Sequence, residues 1–153
     1  RISNVRKYDD HDRSRKSDIV FSYKGVDISV EVKSLQTNSI RREGKEFFGK
    51  TQVDASDKRP VKLPNGKTVS TTCLLIGEFD LLAVNLYSFE NKWNFVFAKN
   101  TDLPRSNFRG YTPAQKKYLI ATLISVNWPP KPPFVGDPFS LLDEIVKTKQ
   151  AKQ

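Results

Sequence analysis

Several residue types are scarce or missing in this chain of 153 residues, which has one cysteine, one histidine and no methionine. A single cysteine excludes an intrachain disulfide framework, and together with a single histidine it excludes a zinc site built from these two ligand types. No apolar run reaches the roughly 20 residues that a membrane-spanning helix needs, and no signal-peptide pattern stands at the start. We therefore expect a cytoplasmic protein with no membrane partner.

The missing methionine also means that Arg1 is not a natural translation start. We expect the chain to be part of a longer protein with further domains. Its own length suits one domain with a proper core. The sequence therefore predicts a single domain over residues 1–153.

Acidic residues are outnumbered, with 17 Asp and Glu against 26 Lys and Arg and a formal net charge of +9. Such an excess favours a polyanionic partner, because binding releases counterions and the positive field steers association. Nucleic acid is the first candidate. The alternative is a basic surface that serves only solubility.

The strongest local pattern is a pair of alternating apolar and polar runs on either side of Lys24-Gly25. A tight turn there, with glycine at positive φ, predicts an antiparallel hairpin. A two-residue loop pairs Tyr23 with Val26. Counting back along both strands then brings Asp18 directly opposite Glu31, so that the two carboxylates share a face.

This register divides the hairpin into two faces. The first, a predicted core face, carries Ile19, Phe21, Tyr23, Val26, Ile28, Val30 and Val32. The second carries Asp18, Val20, Ser22, Asp27, Ser29, Glu31 and Lys33. Two carboxylates that share a divalent cation beside a lysine suit phosphodiester hydrolysis, because the cation polarises the phosphate and the lysine orients water or stabilises negative charge. The alternative is an amphipathic hairpin whose charged face is merely solvated.

Asp18 followed, after twelve intervening residues, by Glu31-Val32-Lys33 resembles the signature of the PD-(D/E)XK superfamily of restriction-endonuclease-like nucleases. The resemblance implies that Asp18 and Glu31 bind Mg²⁺, with Mn²⁺ able to substitute. It also implies that the Val32 carbonyl adds a ligand and that Lys33 is the catalytic lysine. Ser17 stands where the superfamily often has proline.

Gln52 resembles a glutamine that reaches back into the active site in several branches of the superfamily. The alternative is a polar residue at the end of a helix or strand. The resemblance further implies an α/β fold, with a mixed central β-sheet of four or five strands flanked by helices in a restriction-endonuclease-like core.

The function that the resemblance implies is a Mg²⁺-dependent DNA endonuclease, the nuclease domain of a bacterial restriction or defence enzyme acting on double-stranded DNA near the nucleoid. Cutting both strands would require a second active site, normally from a homodimer. Two alternatives remain open. One is a Holliday-junction resolvase or repair nuclease, and the other is a non-catalytic nucleic-acid-binding module.

Nucleic-acid contacts are predicted for basic residues in three segments. A polar arm over residues 1–17 carries Arg13, Arg15 and Lys16. A predicted loop after the hairpin carries Arg41, Arg42, Lys45 and Lys50 around two phenylalanines. A second hairpin, which turns at Pro64-Asn65-Gly66, carries Lys58 and Arg59. The alternative in each case is a solvated connection or a peripheral ribbon.

The rest of the chain is predicted to be scaffold. Nearly continuous apolar runs over residues 79–87 and 93–98 indicate central strands buried on both faces, which complete a core sheet over residues 18–100. Helices are expected over residues 112–150. The first opens at Thr112-Pro113 and would use Leu119, Leu123 and Val126 as its apolar side, and the second is the terminal helix.

Overall fold

The computed structural model describes residues 1–7 and 17–153, so Arg13, Arg15 and Lys16 of the predicted arm lie outside the described residues. The strands are β1 (Ile2–Lys7), β2 (Ile19–Tyr23), β3 (Val26–Ser34), β4 (Arg41–Glu43), β5 (Glu46–Gln52), β6 (Asp54–Lys62), β7 (Thr68–Cys73), β8 (Leu81–Asn85), β9 (Phe95–Lys99) and β10 (Leu123–Trp128). The α-helices are α1 (Tyr87–Glu90), α2 (Pro113–Lys116) and α3 (Phe139–Ala151).

The central sheet has five strands in the order β1-β2-β3-β8-β9. Only β3 and β8 pair in parallel, while the other neighbours are antiparallel. The predicted mixed central sheet is therefore confirmed. Buried residues fill β8 on both faces as predicted, but β9 stands at the edge of the sheet, where Phe97 bridges to Val135. The expectation of a second central strand there was wrong.

The predicted hairpin is β2–β3. Lys24 and Gly25 have φ angles of 50° and 76°, the positive values that a type I′ turn requires at both central residues. The pairs run from Tyr23 opposite Val26 to Ile19 opposite Val30, as the turn predicts. One further step brings Asp18 to the level of Glu31.

Helix α3 covers one face of the central sheet. Its buried stripe is Leu141, Leu142, Ile145 and Val146. This stripe packs against the predicted core face of the hairpin, where Phe21, Tyr23, Ile28 and Val30 are buried. Both the terminal helix and the core face are therefore confirmed.

A second sheet, ordered β10-β5-β4, packs on the face of the central sheet opposite α3. The segment that contains Arg41, Arg42, Lys45 and Lys50 was predicted as a loop, and it is the hairpin β4–β5 instead. The segment forms strands because apolar and polar residues alternate along it, a pattern that the clustered basic residues obscured. Phe47, Gly49 and Thr51 are buried, whereas the residues between them are more exposed.

The helix expected from Thr112 onward is also wrong beyond its first turn. Thr112 and Gln115 form a capping box, but α2 has only four residues. Leu123–Trp128 is a strand that pairs with β5. Ile124 and Val126 are buried while Leu123 and Ser125 are exposed, so the apolar period is that of a strand.

The second predicted hairpin is β6–β7. Gly66 has a φ of 85° in its turn, and Leu63 N–H donates to the Lys67 carbonyl at 2.8 Å. The register shifts between Asp54 and Arg59, so β6 carries extra residues near its start. Among the helices of residues 1–7 and 17–153, none is long and apolar enough to cross a membrane.

Candidate active site

Asp18 stands at the bend that leads into β2. Its backbone N–H donates to the Val30 carbonyl at 3.1 Å, and its Oδ2 accepts from the Val32 N–H at 2.8 Å. The carboxylate therefore replaces the backbone acceptor that β2 would supply if the strand continued. This bond holds the Asp18 side chain against β3 at the level of Glu31.

The Glu31 carboxylate lies on the face of β3 opposite α3, and its side chain is only 13% exposed. Burial, and after it the negative charge of Asp18, raise the pKa of Glu31 to about 7. The positive charge of Lys33 acts in the opposite direction. Two carboxylates that repel each other in a poorly hydrated place form a site at which a cation is electrostatically favoured.

Lys33 follows Glu31 by two residues and so projects from the same face of β3. Its Nζ lies 3.5 Å from Glu31 Oε1 and 3.4 Å from the Asp54 carbonyl oxygen. The lysine is thus held between the carboxylate and the start of β6. A carboxylate pair and an ammonium group meet within one turn-connected hairpin.

The Val32 carbonyl points toward the Asp18 side of β3. In an extended strand the N–H and C=O of one residue face the same neighbour, and the Val32 N–H bonds to Asp18. The paired residues of β2 end at Ile19. The Val32 oxygen is therefore directed to the side of β3 on which Asp18 lies, past the last paired residue of β2.

Gln52 lies at the end of β5, where it approaches the site but does not contact the carboxylates. Its Oε1 accepts from Gln36 Nε2 at 2.9 Å, and its Nε2 donates to both carboxylate oxygens of Asp54 at 3.1 and 3.2 Å. Asp54 connects it to Lys33, because the Asp54 carbonyl accepts from Lys33 Nζ. The structure thus brings Asp18, Glu31, Val32 and Lys33 together. Gln52 is connected to Lys33 only through Asp54.

Sequence reasoning missed Glu78, whose charge also raises the pKa of Glu31. Its Oε1 lies 3.6 Å from Arg59 Nη2, and its side chain is 11% exposed. Glu78 directly precedes an apolar run, which marks it as an acid near a strand start. Only the parallel pairing of β3 with β8 brings it near the hairpin, and no local pattern encodes that pairing.

The predicted nucleic-acid-binding residues take different positions. Arg59 makes hydrogen bonds within the protein, because its Nη1 donates to the carbonyls of Thr71 and Cys73 at 2.8 Å each. Lys58 is exposed on β6. The remaining four belong to the β4–β5 hairpin, where Arg41, Arg42, Lys45 and Lys50 are exposed.

The donor set suits magnesium better than a metal that needs a complete protein cage. Within the described residues no group of three or more His, Cys, Asp or Glu side chains gathers to hold a metal. Mg²⁺ usually keeps several waters and is held by one or two carboxylates plus substrate phosphates. The residues that fit this pattern are Asp18, Glu31 and the Val32 carbonyl.

No protein-family model matches the chain, and no curated protein sequence matches it. Among solved structures, the chain is similar to a bacterial homing endonuclease, I-Ssp6803I. The two are 21% identical with a TM-score of 0.37, over 76% of this chain and 74% of that chain.

Proposed function

We propose that this chain is a Mg²⁺-dependent DNA endonuclease of the PD-(D/E)XK type. The observation that carries the proposal is the half-buried carboxylate pair beside a lysine: Val32 N–H holds Asp18 in place, and Lys33 Nζ lies 3.5 Å from Glu31. An ordinary solvated strand face does not bury a glutamate to 13% exposure next to a second acid.

Asp18, Glu31 and the Val32 carbonyl would hold the metal ion, which when bound polarises a phosphate and lowers the pKa of water. Lys33 has the other role. Its ammonium group stands beside Glu31 on the same face, where it orients the attacking water or stabilises the charge that develops on the phosphate. Asp54 supports this position by accepting from Lys33 Nζ through its carbonyl oxygen.

Double-stranded DNA is the proposed substrate because the chain has a formal net charge of +9 and because exposed arginines and lysines cluster on the β4–β5 hairpin. A place in a bacterial restriction or defence enzyme is part of the same proposal.

The test is cleavage of supercoiled plasmid and short duplexes with Mg²⁺, with Mn²⁺ or with chelator, beside gel-shift binding at two salt concentrations. Wild type should cut with either metal and not in chelator. Lys33→Ala should lower the cutting rate by about 10²-fold or more while binding persists, as expected when a charge-stabilising group is lost. Lys147→Ala is the matched control, because Lys147 is exposed on α3, on the opposite side of the central sheet.

Salt-sensitive binding without cutting in any protein would favour a non-catalytic binding module and overturn the nuclease. Cutting that survives both Glu31→Gln and Lys33→Ala would place the active site elsewhere in the chain. Preferential cutting of four-way junctions over linear duplex would instead identify a junction resolvase.

A further inference from the structure

The second sheet presents a polar side to solvent. Phe47, Gly49 and Thr51 of β5 are buried, so the residues that alternate with them face outward. The strand register sets their neighbours, with Asn127 and Arg41 on either side of Phe48 and Ser125 opposite Lys50. We name the following six residues the outer face: Arg41, Phe48, Lys50, Gln52, Ser125 and Asn127.

The outer face offers hydrogen-bonding groups to a ligand. The side chains of Lys50, Ser125 and Asn127 make no hydrogen bond to another residue of the described ranges. A shallow depression of about 80 Å³ is lined by Ser39, Arg41, Phe48, Gly49, Lys50, Ser125 and Asn127. The regular spacing of a sheet sets the distances between these side chains. They can therefore form hydrogen bonds to a ligand whose donors and acceptors are regularly spaced.

Positive charge surrounds the aromatic centre of the outer face. The Arg41 guanidinium lies 4.8 Å from the centroid of Phe48, and Lys131 Nζ lies 5.6 Å from it. Arg41 also lies 3.5 Å from Glu43, which stands toward the turn of the hairpin. A face with cations, amide and hydroxyl groups and one neighbouring acid is suited to the mixed edges of bases, whereas a purely phosphate-binding surface needs only cations.

We infer that the outer face lies in the major groove of duplex DNA and reads base edges there. The two strands that carry Lys50 and Asn127, β5 and β10, lie about 4.8 Å apart and so fit a groove about 12 Å wide. The amide of an asparagine such as Asn127 can bond to both N6 and N7 of adenine. The ammonium group of a lysine such as Lys50 can donate to O6 and N7 of guanine. The expected distance between the read bases and the cut rests on the proposed nuclease function.

The strand β5 connects this face to the carboxylates. Its last residue, Gln52, donates to the Asp54 carboxylate, and the Asp54 carbonyl accepts from Lys33 Nζ. Phe48 lies four residues before Gln52, about 13 Å along a strand at ~3.3 Å per residue. That span equals about four base-pair steps of ~3.4 Å. Base preference should therefore be confined to positions within about four base pairs of the point that Gln52 reaches.

The experiment uses a library of duplexes with randomised sequence and the full chain, in two parallel arms. In one arm the cut ends made with Mg²⁺ are sequenced, and in the other the duplexes that the protein retains with Ca²⁺ are sequenced. The proteins are wild type, Asn127→Ala, Lys50→Gln and the control Lys147→Gln. Lys50 is exposed, so its variant is expected to fold even if Asn127→Ala, at a half-buried position, does not.

Wild type and Lys147→Gln should prefer particular bases near the cut. Asn127→Ala and Lys50→Gln should each lose roughly ten- to hundredfold of that preference at one or two positions and keep it elsewhere. Cutting or binding by wild type without base preference would overturn the inference. So would a preference that both variants retain, although the nuclease function would then stand.

A wild type that selects sequences in the binding arm but does not cut would separate the two proposals. If Asn127→Ala or Lys50→Gln relaxes that selection, base reading by the outer face is supported and the nuclease function fails. If the protein neither cuts nor retains any duplex, both proposals are wrong.

Discussion

Replacing Glu31 by glutamine should stabilise the metal-free protein at alkaline pH. The pKa of Glu31 rises from 4.5 to about 7 on folding, mainly through burial and then through the charge of Asp18. The folded state therefore holds this proton more tightly than the unfolded state. Between about pH 4.5 and pH 7 the folded protein binds more protons, so its stability falls as the pH rises through this window.

The magnitude follows from the same shift. At ~1.4 kcal/mol per pKa unit, the ionised carboxylate costs the folded state about 3 kcal/mol well above pH 7. The side chain is only 13% exposed, so solvent screens little of this cost. Glutamine has nearly the same shape and carries no charge. We expect Glu31→Gln to raise the free energy of unfolding by about 3 kcal/mol at pH 8.5 and by less than about 1 kcal/mol at pH 5.

The assay is urea denaturation in the presence of chelator at both pH values, followed by tryptophan fluorescence. Glu90→Gln is the control, because Glu90 pairs with Lys92 at 3.2 Å on the surface and should change stability by less than about 0.5 kcal/mol. Added Mg²⁺ should stabilise wild type by mass action and have no such effect on Glu31→Gln. A glutamine variant less stable than wild type at pH 8.5 would refute the reasoning, since the carboxylate would then be stabilising.

Two further predictions follow from the same contacts. Lys33→Met removes the positive charge that lowers the pKa of Glu31, so carbon-detected NMR titration should find that pKa above its wild-type value of about 7, and a lower value would contradict the pairing. Asn100→Ala should lower the free energy of unfolding by about 2 kcal/mol in urea, because the buried Asn100 side chain accepts from Gly77 N–H at 2.6 Å and donates to the Leu75 carbonyl at 3.1 Å. A loss below about 0.5 kcal/mol would mean that water replaces both bonds.

The hairpin could be predicted from sequence because everything that defines it is local. Lys24-Gly25 sets the turn, the turn sets the register, and the register places Asp18 level with Glu31. The same holds for β6–β7, whose turn residues stand next to one another in the chain. Contacts of this kind need no knowledge of the rest of the fold.

The second sheet could not be predicted in this way. Leu119, Leu123 and Val126 have helical spacing, and only the pairing of β10 with β5 decides that Leu123–Trp128 is a strand. That pairing joins residues 71 to 81 positions apart in sequence, for example Val126 with Gly49. Such partners leave no local trace, and the clustered basic residues of β4–β5 resemble a loop.

The charged face of the hairpin contains two environments, and the difference between them is the strongest sign of a site. Asp27 is 64% exposed on its side chain, and hydrogen bonds from Ser22 and Arg6 lower its pKa. Glu31, on the same face four residues along β3, is buried and its pKa is raised to about 7. On a strand face that is merely solvated, both acids would be exposed and neither pKa would be raised by burial. The burial of Glu31 and its acidic neighbours Asp18 and Glu78, which Asp27 lacks, therefore distinguish this end of the strand from a common amphipathic hairpin.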